Sequence, residues 1–348
     1  MPIVSTGAST EQHSSYSLRA LAASEEEWDA VIAAYPTTTV FHSSAWLAML
    51  RETTGGTTVL LEVQDGPRLM GYFCGQVLRK GPFRLLGSPL PGWGTPTMGP
   101  IGDPESLDQR SFLRGIEAYC RQEQLDLLEI SCSWLKAEIL RERGFRAGED
   151  VTFSIELTDA QNAWKNINKT TRNCLRQAQR FGVRVEPAED NEAVHEHYDQ
   201  LVEVCAKWLS RPSYGVERPL SMWRHLYPSN LVLLRALHES RCVATYLLVY
   251  DKETMWGTAS ASRQDALHLR PNDLLHWKAI ELACRRGLRR FDFCGGGDYK
   301  QKYGGILVPR LRWMRAFSPA ASLAYRVAET TWQVRREAVL KLARWIRK

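Results

Sequence analysis

The chain has no run of about 18 uncharged apolar residues, so no membrane-spanning helix is expected. Its start, Met1-Pro2-Ile3-Val4-Ser5-Thr6-Gly7, lacks the basic-then-apolar order of a secretory leader. The first fifteen residues are small and polar, and a flexible tail is expected over 1–15. Cys-x-x-Cys pairs and Cys/His clusters at zinc spacing are absent, so no metal site is legible. The eight cysteines read as free, buried thiols of a reducing compartment, which places the expected location in the cytoplasm. No Ser/His/Asp or Cys/His nucleophile arrangement stands out, and no cofactor is expected.

What is present suits two domains: 348 residues, 44% hydrophobic and 24% charged. The pattern is α/β, of mixed α+β character, with expected units at 16–148 and 149–318. In the first, a helix is predicted after Ser24, where Glu25, Glu26 and Glu27 suit a first turn. A second helix covers Ala45 to Arg51. Val59 to Val63 and Gly71 to Val77 read as strands joined by a turn at Asp65-Gly66-Pro67. In the second unit, three strands are predicted at 231–237, 242–250 and 254–262, then a helix over 273–286 capped by Asn272 or Asp273. One piece recurs. Glu117 to Arg121 leads into a strand ending Glu129-Ile130, and Glu281 to Arg285 leads into one ending Asp292-Phe293. Each strand carries an acid before its last apolar residue, which supports a tandem layout.

Residues 163–181 are predicted as one helix. Lys165, Lys169, Arg172, Arg176 and Arg180 recur along it at steps of four and three, which gathers them on one face. They have no acid at i,i+4, and an unpaired basic ridge suits a phosphate-rich ligand. Lys169, Arg172 and Arg176 are therefore candidate phosphate-binding residues; a solvated helix face is the alternative. A glycine run, Gly295-Gly296-Gly297, is followed by Asp298-Tyr299-Lys300. Such a run lets backbone approach a ligand closely. Tyr299 and Tyr303 are candidates to stack a base or sugar. Asp298 is the candidate general base, with substrate-assisted deprotonation equally open. The long loop from Ser88 to Pro100 carries Trp93, a candidate for lining an acceptor groove.

Three stretches together resemble the FemA/FemB-like aminoacyltransferases and related GNAT-type N-acyltransferases. They are Phe41-His42-Ser43-Ser44-Ala45-Trp46, Asn168-Lys169-Thr170-Thr171-Arg172 with Gly182-Val183 beyond, and Tyr299-Lys300-Gln301-Lys302-Tyr303-Gly304. The resemblance covers about residues 16–318. It implies two tandem GNAT-like domains, each a mixed sheet flanked by helices, with the active site on the second. It implies amide formation from an activated acyl group and an amine, with Lys300 as the cation for the carbonyl oxyanion or the donor end. It also brings Trp46 into the substrate-binding set.

Ordinary acyl-CoA enzymes of this fold hold pyrophosphate on a glycine-rich turn before a helix. The matching segment, His268-Leu269-Arg270-Pro271-Asn272-Asp273, has no glycine, and Pro271 removes a donor. An aminoacyl-tRNA donor is therefore expected, with a cell-envelope precursor or similar small amine as acceptor, phosphate- or lipid-linked. The alternative is an acyl-CoA or acyl-carrier donor in surface-glycan synthesis. A non-catalytic protein binding nucleic acid or membrane on the same scaffold is the rival of another class. Residues 319–348 carry +5 of the chain's +6. A basic helix with a partial apolar stripe (Leu323, Val327, Val334, Ala338, Leu342, Trp345, Ile346) is expected there, and 320–348 is a candidate for peripheral contact with the inner membrane face.

Overall fold

The structure is a computed structural model and describes residues 15–207 and 210–331. The first half runs β1 (Ser17–Ala20), α1 (Glu25–Ala33), α2 (Ser44–Thr54), β2 (Thr57–Asp65), β3 (Arg68–Lys80), β4 (Phe83–Ser88), β5 (Pro100–Gly102), α3 (Gln109–Gln122), β6 (Leu127–Ile130) and α4 (Ala137–Glu142). The second runs β7 (Arg146–Glu156), α5 (Ala160–Asn166), α6 (Lys169–Arg180), β8 (Arg184–Pro187), α7 (Glu192–Ala206), α8 (Glu217–Leu226), β9 (Leu231–His238), β10 (Arg241–Tyr250), β11 (Thr254–Ser262), α9 (Pro271–Arg285), β12 (Arg290–Asp292) and β13 (Ile306–Ala316). A further helix occupies 319–331. The outer parts of the basic tail, including Val334, Ala338, Leu342, Trp345 and Ile346, lie outside the described residues, as does the segment 1–14.

The recurring sequence piece is a recurring structural unit. In the first half, antiparallel β2, β3 and β4 lead through α3 to β6, which lies parallel to β4. In the second, antiparallel β9, β10 and β11 lead through α9 to β12, parallel to β11. A parallel neighbour needs a crossover, and each helix supplies it. The closing strands are exchanged. β7, which follows the first unit, pairs with β12 of the second, and β13, which follows the second, pairs with β6 of the first through Trp313–Ala316. β7 and β13 also pair with each other, so all thirteen strands form one mixed sheet.

Three apolar clusters hold this sheet. One packs α3 on the first unit and one packs α9 on the second. The third is shared: Trp28, Phe41 and Trp46 of the first half pack with Met222, Leu231, Leu247 and Trp256 of the second. Phe41 is wedged between Trp46 and Trp256, with ring centroids 4.8 and 4.7 Å away. Cutting such a ring to alanine costs about 3–5 kcal/mol, so the two halves are bound together strongly at this point. α1 starts at Ser24 with a full capping box: Ser24 accepts from Glu27 N and Glu27 accepts from Ser24 N.

Three local expectations change. The single helix over 163–181 is two helices. Asn168 takes an extended backbone and caps α6 by accepting from Thr171 N at 2.7 Å, so Lys165 belongs to α5 and leaves the ridge. The cap of α9 is Arg270, with Pro271 in the first turn. Asp273 is thus inside the helix. α8 and β13 were not anticipated; β13 mixes charged and apolar residues without clean alternation.

Candidate active site

β12 ends at Asp292, and the chain then turns through Cys294, which has φ 51°, into the glycine run and a 3-10 turn over Asp298–Tyr303. The turn is pinned from below. Asp292 Oδ1 accepts from Thr152 Oγ1 and from Cys294 N, both at 2.6 Å, and Gly295 N donates to Thr152 Oγ1 at 3.1 Å. Lys300 is buried, at 6% exposure. Its Nζ donates to Phe293 O at 3.0 Å and Gly295 O at 2.7 Å. Burial lowers its pKa. Lys300 therefore braces the glycine turn with two of its three protons and has one left. Asp298 and Tyr299 are exposed on the outer side of the turn.

Tyr303 does not stand ready to stack on a base. It is 2% exposed, its ring lies on His276 with centroids 5.2 Å apart, and its hydroxyl donates to Asp273 Oδ1 at 2.9 Å. Lys302 Nζ holds the same oxygen at 2.7 Å. The first turn of α9 is therefore occupied by the chain's own acid, and β11 and β12 pair over only three residues, Thr254–Trp256 with Arg290–Asp292. Tyr246, His276, Phe293 and Tyr303 fill the interior beside this short pairing. No glycine cradle for a pyrophosphate is formed ahead of α9.

A cavity of about 340 Å³ opens between the halves, and both expected tryptophans line it. Trp46 is held by a hydrogen bond from Nε1 to Thr95 Oγ1 at 3.0 Å; Trp93 lies over Gly87. Cys294, one residue before the braced glycine turn, is also in the wall. The residues that set its chemistry were missed by sequence reasoning: Arg218 of α8 and Arg310 and Arg312 of β13. Arg310 and Arg312 are two apart on a strand and share a face.

Each of these arginines is anchored through one nitrogen and leaves another buried without a partner among the described residues. Arg218 Nη1 donates to Gly92 O at 2.6 Å, and its Nη2 is free. Arg310 Nη2 donates to Asp150 Oδ2 at 2.8 Å, and its Nη1 is free. Arg312 Nη1 lies 3.3 Å from Glu129 Oε1, and its Nε is free. Buried guanidinium protons without acceptors are costly, and three arginines that carry them line this one cavity. The cavity's size is that of a small-molecule pocket.

The basic ridge is a separate surface. Lys169, Arg176 and Arg180 of α6 are exposed and Arg172 is half-buried, and none of them pairs with an acid among the described residues. Arg176 donates only to Asn173 Oδ1, at 3.1 Å. The ridge joins the Tyr299–Tyr303 turn through the cap of α6, where Asn168 N donates to Lys302 O at 3.0 Å.

Residues 165–303 match the family model of the acetyltransferase (GNAT) domain. FemX, over 89% of this chain and 99% of its own, superposes with a TM-score of 0.70 at 11% identity. The fold is a FemX-like tandem GNAT fold. A tandem GNAT protein from the clavulanic acid biosynthesis pathway superposes at 0.54, with 12% identity over 87% of this chain and 99% of that one. L-PGS from Bacillus licheniformis superposes at 0.51, with 13% identity over 87% and 96%. No curated protein sequence matches the chain. The matched residues lie in the second half of this FemX-like fold, and the first half repeats the strand and helix order of the second. Among the described residues no helix is long and apolar enough to cross a membrane.

Proposed function

We propose that this chain is an N-aminoacyltransferase that takes its acyl group from aminoacyl-tRNA and gives it to the amine of an anionic, phosphate- or lipid-linked acceptor of the cell envelope. The observation that carries the reading is the cavity with three anchored arginines, each holding an unused buried donor. The acceptor's anionic part is seated there, against Trp46 and Trp93. Its amine reaches the Lys300 turn.

In the reaction the amine nitrogen attacks the ester carbonyl. A C–N bond forms, the ester C–O bond breaks, and the ammonium proton of the adduct passes, directly or through water, to the tRNA ribose oxygen, which leaves as a hydroxyl. The remaining Lys300 proton meets the developing oxyanion, where a fixed donor is worth most. Tyr299, exposed beside it, and the α6 ridge of Lys169, Arg172 and Arg176 take the tRNA end and backbone. Asp298 is the side-chain base if one acts. The filled interior beside α9, with Asp273 in its first turn, favours this donor over acyl-CoA. The match to an acetyltransferase domain favours the second reading, an acyl-CoA or acyl-carrier donor in surface-glycan synthesis. The helix over 319–331 exposes Leu323 and Val327 one turn apart, which suits contact with the inner membrane face where a lipid-linked acceptor is found.

Native mass spectrometry of the purified protein with acetyl-CoA and with a charged-tRNA pool tests the donor. Retention of charged tRNA without a CoA adduct is expected. A stoichiometric CoA complex overturns the tRNA reading and promotes the second one. Unchanged ligand binding by Lys300→Ala, with no transfer by the wild type, would instead leave a binding protein on an acyltransferase scaffold.

A further inference from the structure

Two carboxylates are buried at 1% exposure or less in the first half's sheet and helix layer, Glu117 and Glu129, and they are treated differently. Both oxygens of Glu117 accept from Arg143, at 3.0 and 2.5 Å, and Arg315 adds a third contact at 3.4 Å. Neither oxygen of Glu129 accepts a hydrogen bond from a described residue. Among the described residues its one cation is the cavity arginine Arg312.

The position of Glu129 follows from strand register. It lies on β6 between Gly87 of β4 and Met314 of β13. Leu127, two residues earlier on the same face, belongs to the shared cluster that includes Met314 and Trp93, whereas Leu128 and Ile130 face the opposite cluster. A Cβ on Gly87 would come within 2.9 Å of the Trp93 ring. Glu129 is therefore directly behind the cavity, with the Trp93 wall on one side and the Arg312 wall on the other. It is also the first-half counterpart of Asp292, the acid that pins the Lys300 turn.

We propose that Glu129 is a positioning residue for Arg312 and makes anion binding in this cavity proton-coupled: an oxyanion that engages Arg312 is bound together with one proton, taken up by the Glu129 carboxyl. This rests on the reading that the cavity takes an anion. With the cavity empty, Arg312 is the cation that keeps Glu129 ionised. An anion on Arg312 brings a second negative charge to the same guanidinium, and the buried carboxylate is then neutralised at lower cost than it stays charged. Burial already holds Glu129 up at about 7, against the pull of Arg312. Among the described residues the other titratable groups that face it are Tyr325 and Glu329, both from the helix over 319–331; β4 presents only Gly87. The negative Glu329 acts in the same direction as the anion. The proton comes from the solvent, and no other bond changes.

Sulfate is the probe, because it does not titrate between pH 6 and 9, and sodium chloride at matched ionic strength is the control. Calorimetry in two cationic buffers of different ionisation enthalpy at pH 8 counts protons. The expected result is uptake approaching one proton per sulfate, and affinity falling by up to about tenfold per pH unit above 7. Glu129→Gln should bind with the wild type's low-pH affinity at every pH and with no proton uptake. Arg218→Ala should weaken binding but keep the proton count. Sulfate binding that Arg312→Ala weakens, yet with a flat pH profile and no proton uptake in the wild type, overturns the coupling and leaves the anion cavity standing. No sulfate binding at any pH overturns both. If Glu129→Gln does not fold, the wild-type proton count decides alone.

Discussion

Lowering the pH from 7.5 to 5 should destabilise this protein through three histidines that the fold buries as neutral rings. His42, His197 and His276 are each 3% exposed or less, and burial holds each down at about 4 from an ordinary 6.5. His42 Nδ1 is tied to Thr39, His197 Nδ1 to Thr245 Oγ1 at 2.9 Å, and His276 Nδ1 to Asn272 O at 2.7 Å. The sign is set by proton counts. Below pH 6.5 the unfolded chain binds protons that the folded chain refuses, so stability falls with pH and levels off below about 4. Each ring then costs about 2 kcal/mol at pH 5, or about 6 kcal/mol together. Glu129 opposes this. Its folded pKa is raised, so it gains stability as pH falls from 7 toward 4.5, by about 2 kcal/mol at pH 5. The net loss is about 4 kcal/mol, a large part of the stability of an ordinary domain. Urea titrations at pH 7.5 and pH 5 read it as a lower midpoint at constant slope. Asn variants of the three histidines should each remove about a third of the histidine-driven loss. Equal midpoints at the two pH values, or a loss that none of the three variants reduces, would refute the assignment of neutral buried rings.

Three further outcomes are expected. Lys300→Met strips two charge-assisted bonds from the glycine turn and should cost about 2–4 kcal/mol of stability as well as turnover; lost turnover at unchanged melting temperature would show that the brace carries no weight. Arg218→Ala removes one anchored donor from the cavity wall and should raise the acceptor KM at least about tenfold with kcat little changed; an unchanged KM places the acceptor elsewhere. Replacing Lys169, Arg172 and Arg176 together by Gln should lower the slope of log affinity for tRNA against log salt by about two to three; an unaltered slope takes the tRNA off α6.

Much of the fold was readable in the chain because it rests on local patterns. The β9–β11 meander and α9 were bounded by turns and periodicity, and the repeated acid-bearing strand pointed to duplication. The helix break at Ile167-Asn168 was also written in the sequence, as an Asn three residues before Thr171, but the even spacing of the cations concealed it. The site was only partly legible. Trp46 and Trp93 could be picked out as unusual residues in a motif and a loop, and both prove to line one cavity. Lys300 could be located but not oriented, since nothing in a sequence says whether a lysine points outward or folds back on its own turn. Arg218, Arg310 and Arg312 gave no signal. They meet only because α8 and β13 approach the 90–96 loop across the sheet, and a basic residue in isolation looks like any solvated one.

The exchange of closing strands has a consequence for synthesis on the ribosome. β6 emerges with one edge satisfied by β4, but its other partner, Trp313–Ala316, is made more than 180 residues later. At about 5–20 residues per second, that edge waits roughly ten to forty seconds. During this interval an entirely buried strand, Leu127–Ile130, is an open apolar template for other nascent chains. The first half cannot finish its sheet as it emerges, however complete its helices and hairpins are, and its quality control is deferred until β13 has been made. Expression yield should therefore depend on holdase capacity and on anything that shortens the wait between β6 and β13.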